Sequence, residues 1–230
     1  MALELKNLLL EKGDFSLTAD LSLETGSLTS VLGPSGAGKS TLFDGLAGFL
    51  EPKRGTISFE GLNLAGLEPG KRPIAVLFQD NNLFPHLTAG QNVGLAISHK
   101  RRLSNSQVAL VDEVLERVDL GGLADRSLSQ LSGGQLSRVA LARMLLLERP
   151  IWLLDEPFAA LGPSLKRDML ALVKEMAADV GVTVLMITHD PSDALALSDS
   201  AILVAESRVE GPFSTQALLA DPPDALRHYL

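Results

Sequence analysis

No cysteine occurs anywhere in the 230 residues, which removes disulfide frameworks, thiolate zinc sites, iron–sulfur clusters and cysteine nucleophiles together. Aromatic side chains are scarce, at 4%, so the core must be assembled from Leu, Val, Ile and Ala, a composition suited to helices packed on a parallel sheet. Positive charge is in the minority. Twenty Lys+Arg face 28 Asp+Glu, a net charge of −8, which opposes sequence-independent binding to nucleic-acid phosphates. No stretch approaches the ~20 apolar residues that a membrane-spanning helix needs. At the start, Met1-Ala2-Leu3-Glu4-Leu5-Lys6 breaks its apolar residues with charge at once, unlike a signal peptide. A cytoplasmic protein with no nucleic-acid partner is expected. The remaining composition, 46% hydrophobic and 21% charged, suits a chain that folds as one domain around a sizeable core.

Short, branched, apolar runs at residues 28–32, 74–78, 151–154, 182–187 and 201–204 alternate with longer helical periods, the pattern of buried parallel strands in an α/β fold. Phe15-Ser16-Leu17-Thr18-Ala19-Asp20-Leu21 instead alternates apolar with polar, as a half-solvated strand does, and predicts an antiparallel β region near the N-terminus. Ser104 with Gln107 three positions on reads as a capping box that opens a helix. Val108, Val111, Leu115 and Val118 form that helix's apolar stripe, and it ends before Gly121-Gly122. The segment from about 95 to 136 lacks strands and reads as a helical subdomain inserted into a core formed by residues 1–94 and 137–230.

The chemistry is concentrated in three places. Gly33-Pro34-Ser35-Gly36-Ala37-Gly38-Lys39-Ser40-Thr41 fits G-x-x-x-x-G-K-[ST], between the strand at 28–32 and a helical run at 41–50. Such a loop wraps backbone N–H groups around phosphates, with Lys39 reaching the β- and γ-phosphates and Ser40 available to Mg²⁺, so a nucleoside triphosphate is implied. Ile151-Trp152-Leu153-Leu154-Asp155-Glu156 delivers two carboxylates at the end of a buried strand, where ligands bind in open α/β sheets. Asp155 is suited to hold Mg²⁺ and Glu156 to orient and deprotonate an attacking water. Leu131-Ser132-Gly133-Gly134-Gln135 opens a helical run at 135–147 and supplies a second anion-receptive helix start, with Ser132, Gly133, Gly134 and Gln135 able to face a γ-phosphate. One P-loop already cradles one nucleotide, so this second element suggests that it completes a partner's site.

With Gln79 after the strand at 74–78 and His189 after the strand at 182–187, the chain resembles the ATP-binding-cassette (ABC) ATPases over essentially its whole length. The resemblance implies a P-loop NTPase fold with a mainly parallel sheet, an N-terminal antiparallel β region and the inserted helical subdomain. It implies ATP and Mg²⁺ as ligands, Gln79 as a glutamine that senses the metal and the attacking water, and His189 as the histidine that contacts the γ-phosphate. It further implies a homodimer that sandwiches two ATP molecules, each P-loop facing the other subunit's Leu131-Ser132-Gly133-Gly134-Gln135. His86, His99 and His228 read as structural, and His99-Lys100-Arg101-Arg102 as a solvated loop.

Two departures from the family pattern stand out. Gly162 occupies the place of an aspartate after the carboxylate strand, which removes a carboxylate contact across the dimer. No Tyr, Phe or Trp lies near Leu10-Glu11-Lys12-Gly13 to stack on adenine. Phe15 is the nearest aromatic, and its alternating strand assigns it to the core, so weaker base stacking and looser ATP affinity are expected.

Gln79-Asp80-Asn81-Asn82-Leu83-Phe84-Pro85-His86-Leu87-Thr88 carries apolar residues in a segment expected to be exposed, where transport ATPases receive a membrane subunit. Its wording is most similar to the ATP-binding subunits of bacterial thiamine importers, and a chain ending at Leu230 leaves no room for the C-terminal regulatory domain of longer importer subunits. The resemblance implies a peripheral protein at the cytoplasmic face of the membrane that works with a permease and, indirectly, a periplasmic thiamine-binding protein. Subunits for iron, molybdate or other solutes, and soluble non-transport ABC ATPases, are the alternatives.

Overall fold

The computed structural model describes residues 2–98 and 102–227, so His99, Lys100, Arg101 and His228 lie outside the described residues. Along the chain run β1 (Ala2–Lys12), β2 (Phe15–Glu24), β3 (Leu28–Leu32), α1 (Lys39–Ala47), β4 (Arg54–Phe59), β5 (Leu62–Asn63) and β6 (Ile74–Leu77). These are followed by α2 (Ala89–Gly94), α3 (Asn105–Arg117), α4 (Gly133–Leu146), β7 (Ile151–Asp155), α5 (Pro163–Val180) and β8 (Thr183–Ile187). The last elements are α6 (Pro191–Leu197), β9 (Ser200–Ala205), β10 (Arg208–Ser214), α7 (Thr215–Ala220) and α8 (Asp224–Arg227).

Among the described residues the strands form one ten-stranded sheet in the order β5-β4-β1-β2-β10-β9-β3-β8-β7-β6. The block β9-β3-β8-β7-β6 is parallel throughout. The expected antiparallel region is present as β5-β4-β1-β2. It is continuous with the parallel block, joined through β10, whose only register with β2 is Arg208 opposite Thr18 and Val209 opposite Ala19. The fold is therefore the expected P-loop NTPase architecture.

Alternation along the parallel strands explains their unbroken hydrophobicity, because both faces are covered. On β7, Ile151 and Leu153 pack with α1, while Trp152 and Leu154 join the helices of the opposite face. On β8, Leu185 and Ile187 divide from Val184 and Met186 in the same way. The helices α2, α3 and α4 pack on one another, and α4 packs on β6. Helix α3 begins with the expected Ser104–Gln107 capping box, and Val111, Leu115 and Val118 are buried as expected, joined by Val114, but Val108 is exposed.

Helix α1 starts at Lys39, two residues ahead of the expected position, and stops at Ala47 because Gly48 adopts a left-handed conformation, φ +88°, whose N–H closes on the Asp44 carbonyl. Beyond that end lies Arg72, completely buried. Its guanidinium donates to the carbonyls of Gly45 (2.7 Å), Leu46 (2.9 Å) and Leu67 (3.1 Å) and pairs with Glu51 (3.1 Å). One cation thus satisfies helix-terminal carbonyls that would otherwise be orphaned. Replacing Arg72 with Met is expected to cost about 3 kcal/mol in urea unfolding, because buried acceptors lose their donor. Glu51→Gln, at an exposed carboxylate, should cost less than about 1 kcal/mol.

Candidate functional site

The register of the parallel strands decides what meets what. Val31 on β3 lies opposite Ile187 on β8, and Ile187 lies opposite Asp155 on β7. The loops that leave these three strands at their C-terminal ends therefore rise side by side, carrying residues 33–41, Asp155-Glu156 and Thr188-His189. Gly33 can be nothing else: its φ is +150° and a Cβ would run into the carbonyl oxygen of Val204. Gly38, φ +105°, faces Phe15, whose Cζ would lie 2.6 Å from an added Cβ. Phe15 is half-buried against the α1 side of the core and also supports this loop, which alternation along β2 did not reveal.

Within the loop, Pro34, Ala37 and Gly38 are half-buried, Ser35, Gly36 and Ser40 are exposed, and Thr41 is buried. Lys39 is buried, and its ammonium donates to the carbonyls of Gly33 (2.7 Å) and Pro34 (2.8 Å). Burial lowers its pKa, opposed by the charges of Glu156 and Asp155. Asp155 is raised above the usual carboxylate range by burial and by the neighbouring charges of Glu156 and Asp44, with Lys39 acting against them. Glu156 sits in the left-handed region at φ +45°, uncommon for a residue with a side chain, and is fixed there by its N–H donating to the Ile187 carbonyl (3.1 Å). Its Oε2 lies 3.2 Å from His189 Nδ1. With a proton on Nδ1 the ring donates to the carboxylate and leaves Nε2 facing away from it.

Gln79 is exposed and lines, with Asp155, Phe78 and Asp80, an open cavity of about 670 Å³. Among the described residues no group of three His, Asp or Glu could enclose a metal. Asp155 and Gln79 line the same cavity and Ser40 is exposed on the P-loop, a set of hard oxygens too few to form a cage. That is the chemistry of Mg²⁺, which takes one or two protein oxygens and completes its shell with water and phosphate. The excess of negative charge around Asp155 fits a divalent cation as well.

Ser132, Gly133, Gly134 and Gln135 form the first turn of α4. Ser132 Oγ accepts the Gln135 N–H (3.3 Å), and Gln135 Oε1 accepts the Ser132 N–H (2.9 Å). Gly133 lies beside Leu161, just before α5, and Gly134 against Leu165 in its first turn. Three polar residues that sequence reasoning did not single out shape the surroundings. Arg143 on α4 donates to the carbonyls of Asn82 (2.8 Å) and Asn81 (3.0 Å), both in the left-handed region, and so pins the loop after Gln79. Asn92, fully buried, donates to the Phe84, Leu87 and Thr88 carbonyls and accepts the Phe84 N–H. Phe84 is left 44% exposed, whereas Leu83 packs onto the core and Leu87 is half-buried. Lys166 is the third. The available signal for Arg143 was its standing as the one charge in Val139-Ala140-Leu141-Ala142-Arg143-Met144-Leu145.

Comparison with known proteins agrees with this geometry. Residues 17–159 match the ABC transporter family, and thiamine import ATP-binding protein ThiQ of Cereibacter sphaeroides is 56% identical over 99% of both chains. The chain belongs to the ABC transporter family. Within it, ThiQ of a Ruegeria species is 51% identical, again over 99% of both chains. Among solved ABC structures, the dimeric cassette MJ0796 bound to ADP and Pi superposes with a TM-score of 0.77 at 29% identity, covering 93% of this chain and 98% of that one. The cbiO1 protein of Clostridium perfringens, part of the ABC transporter complex cbiONQ, gives 0.83 at 30% identity, over 95% of this chain and 90% of that one.

The ABC-family departure at residue 162 has a plain structural setting. Gly162 is the N-cap of α5 with extended backbone, φ −66° and ψ 157°, no side-chain cap and nothing within 4 Å of an added Cβ. Gly162→Asp should therefore fold without strain and raise unfolding stability by about 0.5 kcal/mol through capping and the helix dipole. Asp155 supplies a pH test. Its raised pKa means the folded state binds more protons than the unfolded one, so its contribution to stability falls as pH rises from the normal carboxylate range through the raised value. Asp155→Asn is expected to raise the melting temperature of the nucleotide-free protein above the acidic range and to lessen its decline as pH rises.

Proposed function

We propose that this chain is the ATP-hydrolysing subunit of a thiamine importer, in which ATP closes two copies around two nucleotides and hydrolysis reopens them. The observation that carries the ATPase reading is the meeting of buried Lys39, Asp155, strained Glu156 and His189 at one edge of the parallel sheet. Likeness to ThiQ proteins over 99% of both chains supports the transported solute.

The residues divide the work as follows. Backbone N–H groups of residues 33–41 and the start of α1 cradle the phosphates, and Lys39 exchanges the Gly33 and Pro34 carbonyls for the β- and γ-phosphates. Ser40, Asp155 and Gln79 hold Mg²⁺, which when bound neutralises charge on the phosphates. Glu156 orients the attacking water and accepts its proton, while His189 contacts the γ-phosphate and fixes the Glu156 carboxylate. Ser132, Gly133, Gly134 and Gln135 form a second anion-receptive helix start beside the one P-loop of the chain, and they serve the nucleotide of a second copy. The helical segment from about 95 to 136 acts as the subdomain that carries them.

Exposed Phe84, held out by Asn92, and Phe49, 57% exposed and 6.3 Å from Phe78, offer an apolar surface beside Gln79 for a permease segment. No helix of the described residues is long and apolar enough to cross a membrane. The subunit is placed at the cytoplasmic face of the membrane, bound through the permease and reached only indirectly by a periplasmic thiamine-binding protein.

Glu156→Gln is expected to bind MgATP and accumulate as an ATP-dependent dimer with turnover reduced at least a hundredfold, by loss of the general base and its positioning. Lys39→Ala should lose nucleotide binding or turnover. In native cells, Glu156→Gln should abolish uptake of labelled thiamine and leave an unrelated vitamin unaffected. Normal thiamine uptake would redirect the solute assignment, and undiminished hydrolysis would remove Glu156 from its role.

A further inference from the structure

Helix α5 begins at Pro163, directly after Gly162, and in its first turn the Lys166 N–H donates to the Gly162 carbonyl (2.9 Å). The Lys166 side chain then leaves its own helix. Its ammonium, largely shielded from solvent, contacts Asp190 Oδ2 at 3.2 Å and Asp193 Oδ2 at 3.1 Å. These carboxylates bracket the turn that presents His189. Asp190 follows it in sequence and caps α6 by accepting the Ser192 N–H (2.9 Å). Asp193 accepts the hydroxyl of Thr188 (3.0 Å), the buried residue just before His189, and that hydroxyl in turn accepts the Asp190 N–H (3.1 Å). His189 itself is exposed and touches Glu156. The backbone on both sides of the histidine is thus tied to one lysine on the helix that follows residue 162.

We infer that Lys166 is a positioning residue that holds the His189 turn against Glu156 and makes the start of α5 and that turn move as one body. The inference rests on the assignment of Glu156 and His189 to hydrolysis. Burial pulls the ammonium's pKa down, but hydrogen bonds and charge from Asp193 and Asp190 outweigh it and hold it above its ordinary value. With glycine at 162 the first turn of α5 has no side-chain cap, and Lys166 is the anchor of that turn to the loops of the sheet. A shift of the segment around residue 162 then reaches the water-orienting carboxylate through four linked contacts, with His189 as the last member of the chain.

Because Lys166 acts through His189, its removal must matter only while His189 is present. The test is a double-mutant cycle on turnover of the full chain with MgATP. Lys166→Met should lower kcat about tenfold with KM for ATP changed less than about twofold, and Lys166→Arg should restore most of the loss. In a His189→Ala background, Lys166→Met should change the residual rate less than about twofold. A tenfold loss repeated in that background would show that Lys166 serves general folding and overturns the coupling alone. Wild-type turnover by His189→Ala would overturn the assignment beneath it, and the coupling with it. If Lys166→Met does not fold, Asp190→Asn answers the same question, since asparagine keeps the α6 cap and removes one of the two carboxylates that hold Lys166. Its loss of kcat should likewise vanish when His189 is alanine, and persistence of that loss would overturn the coupling.

Discussion

The structure depends on a concentration of charge at the carboxyl edge of β3, β7 and β8. One buried ammonium, Lys39, faces Asp155 and Glu156, with Asp44 close enough to add to the negative side. Such an arrangement is costly in a low-dielectric site and is relieved when phosphate and a divalent cation arrive together. Lys39 meanwhile takes the carbonyls of its own loop as stand-ins for phosphate oxygens. The site is therefore built for a ligand that brings charges of both signs, and the neighbouring core serves to hold the three strand ends in register.

Much of this was legible in the sequence, for physical reasons that differ by element. The parallel strands declare themselves because burial on both faces leaves no polar residue to interrupt Ile151-Trp152-Leu153-Leu154 or Val184-Leu185-Met186-Ile187. The P-loop is legible because Gly33 and Gly38 occupy backbone conformations closed to other residues. Less legible were β1, β4, β5 and β10, which are half-exposed and whose pairing is set by distant partners. That β10 joins the two parts of the sheet through two residue pairs follows from no local pattern.

The polar clamps were the least visible. Arg72, Asn92, Arg143 and Lys166 look like surface residues in a list of letters, yet each spends its donors on backbone carbonyls or carboxylates of another element. Each ties a loop or helix end near the site to a neighbouring element. Arg72 secures the end of the P-loop helix, Arg143 ties the loop after Gln79 to α4, Asn92 shapes the exposed Phe84 segment, and Lys166 joins α5 to the His189 turn. A helix that starts with Ser132-Gly133-Gly134-Gln135 is consequently linked to the Gln79 loop at its far end.

The central claim is that one chain holds two half-sites that only a second copy completes. Mixing Ser132→Arg protein with Lys39→Ala protein tests it most directly. Each variant alone should be inactive, the first lacking the closing half and the second the cradling half. Random pairing of equal amounts places one intact composite site in half of the dimers, so roughly a quarter of wild-type ATPase activity is expected to return. Full activity of Ser132→Arg alone, or no recovery on mixing when both variants form dimers, would contradict the account.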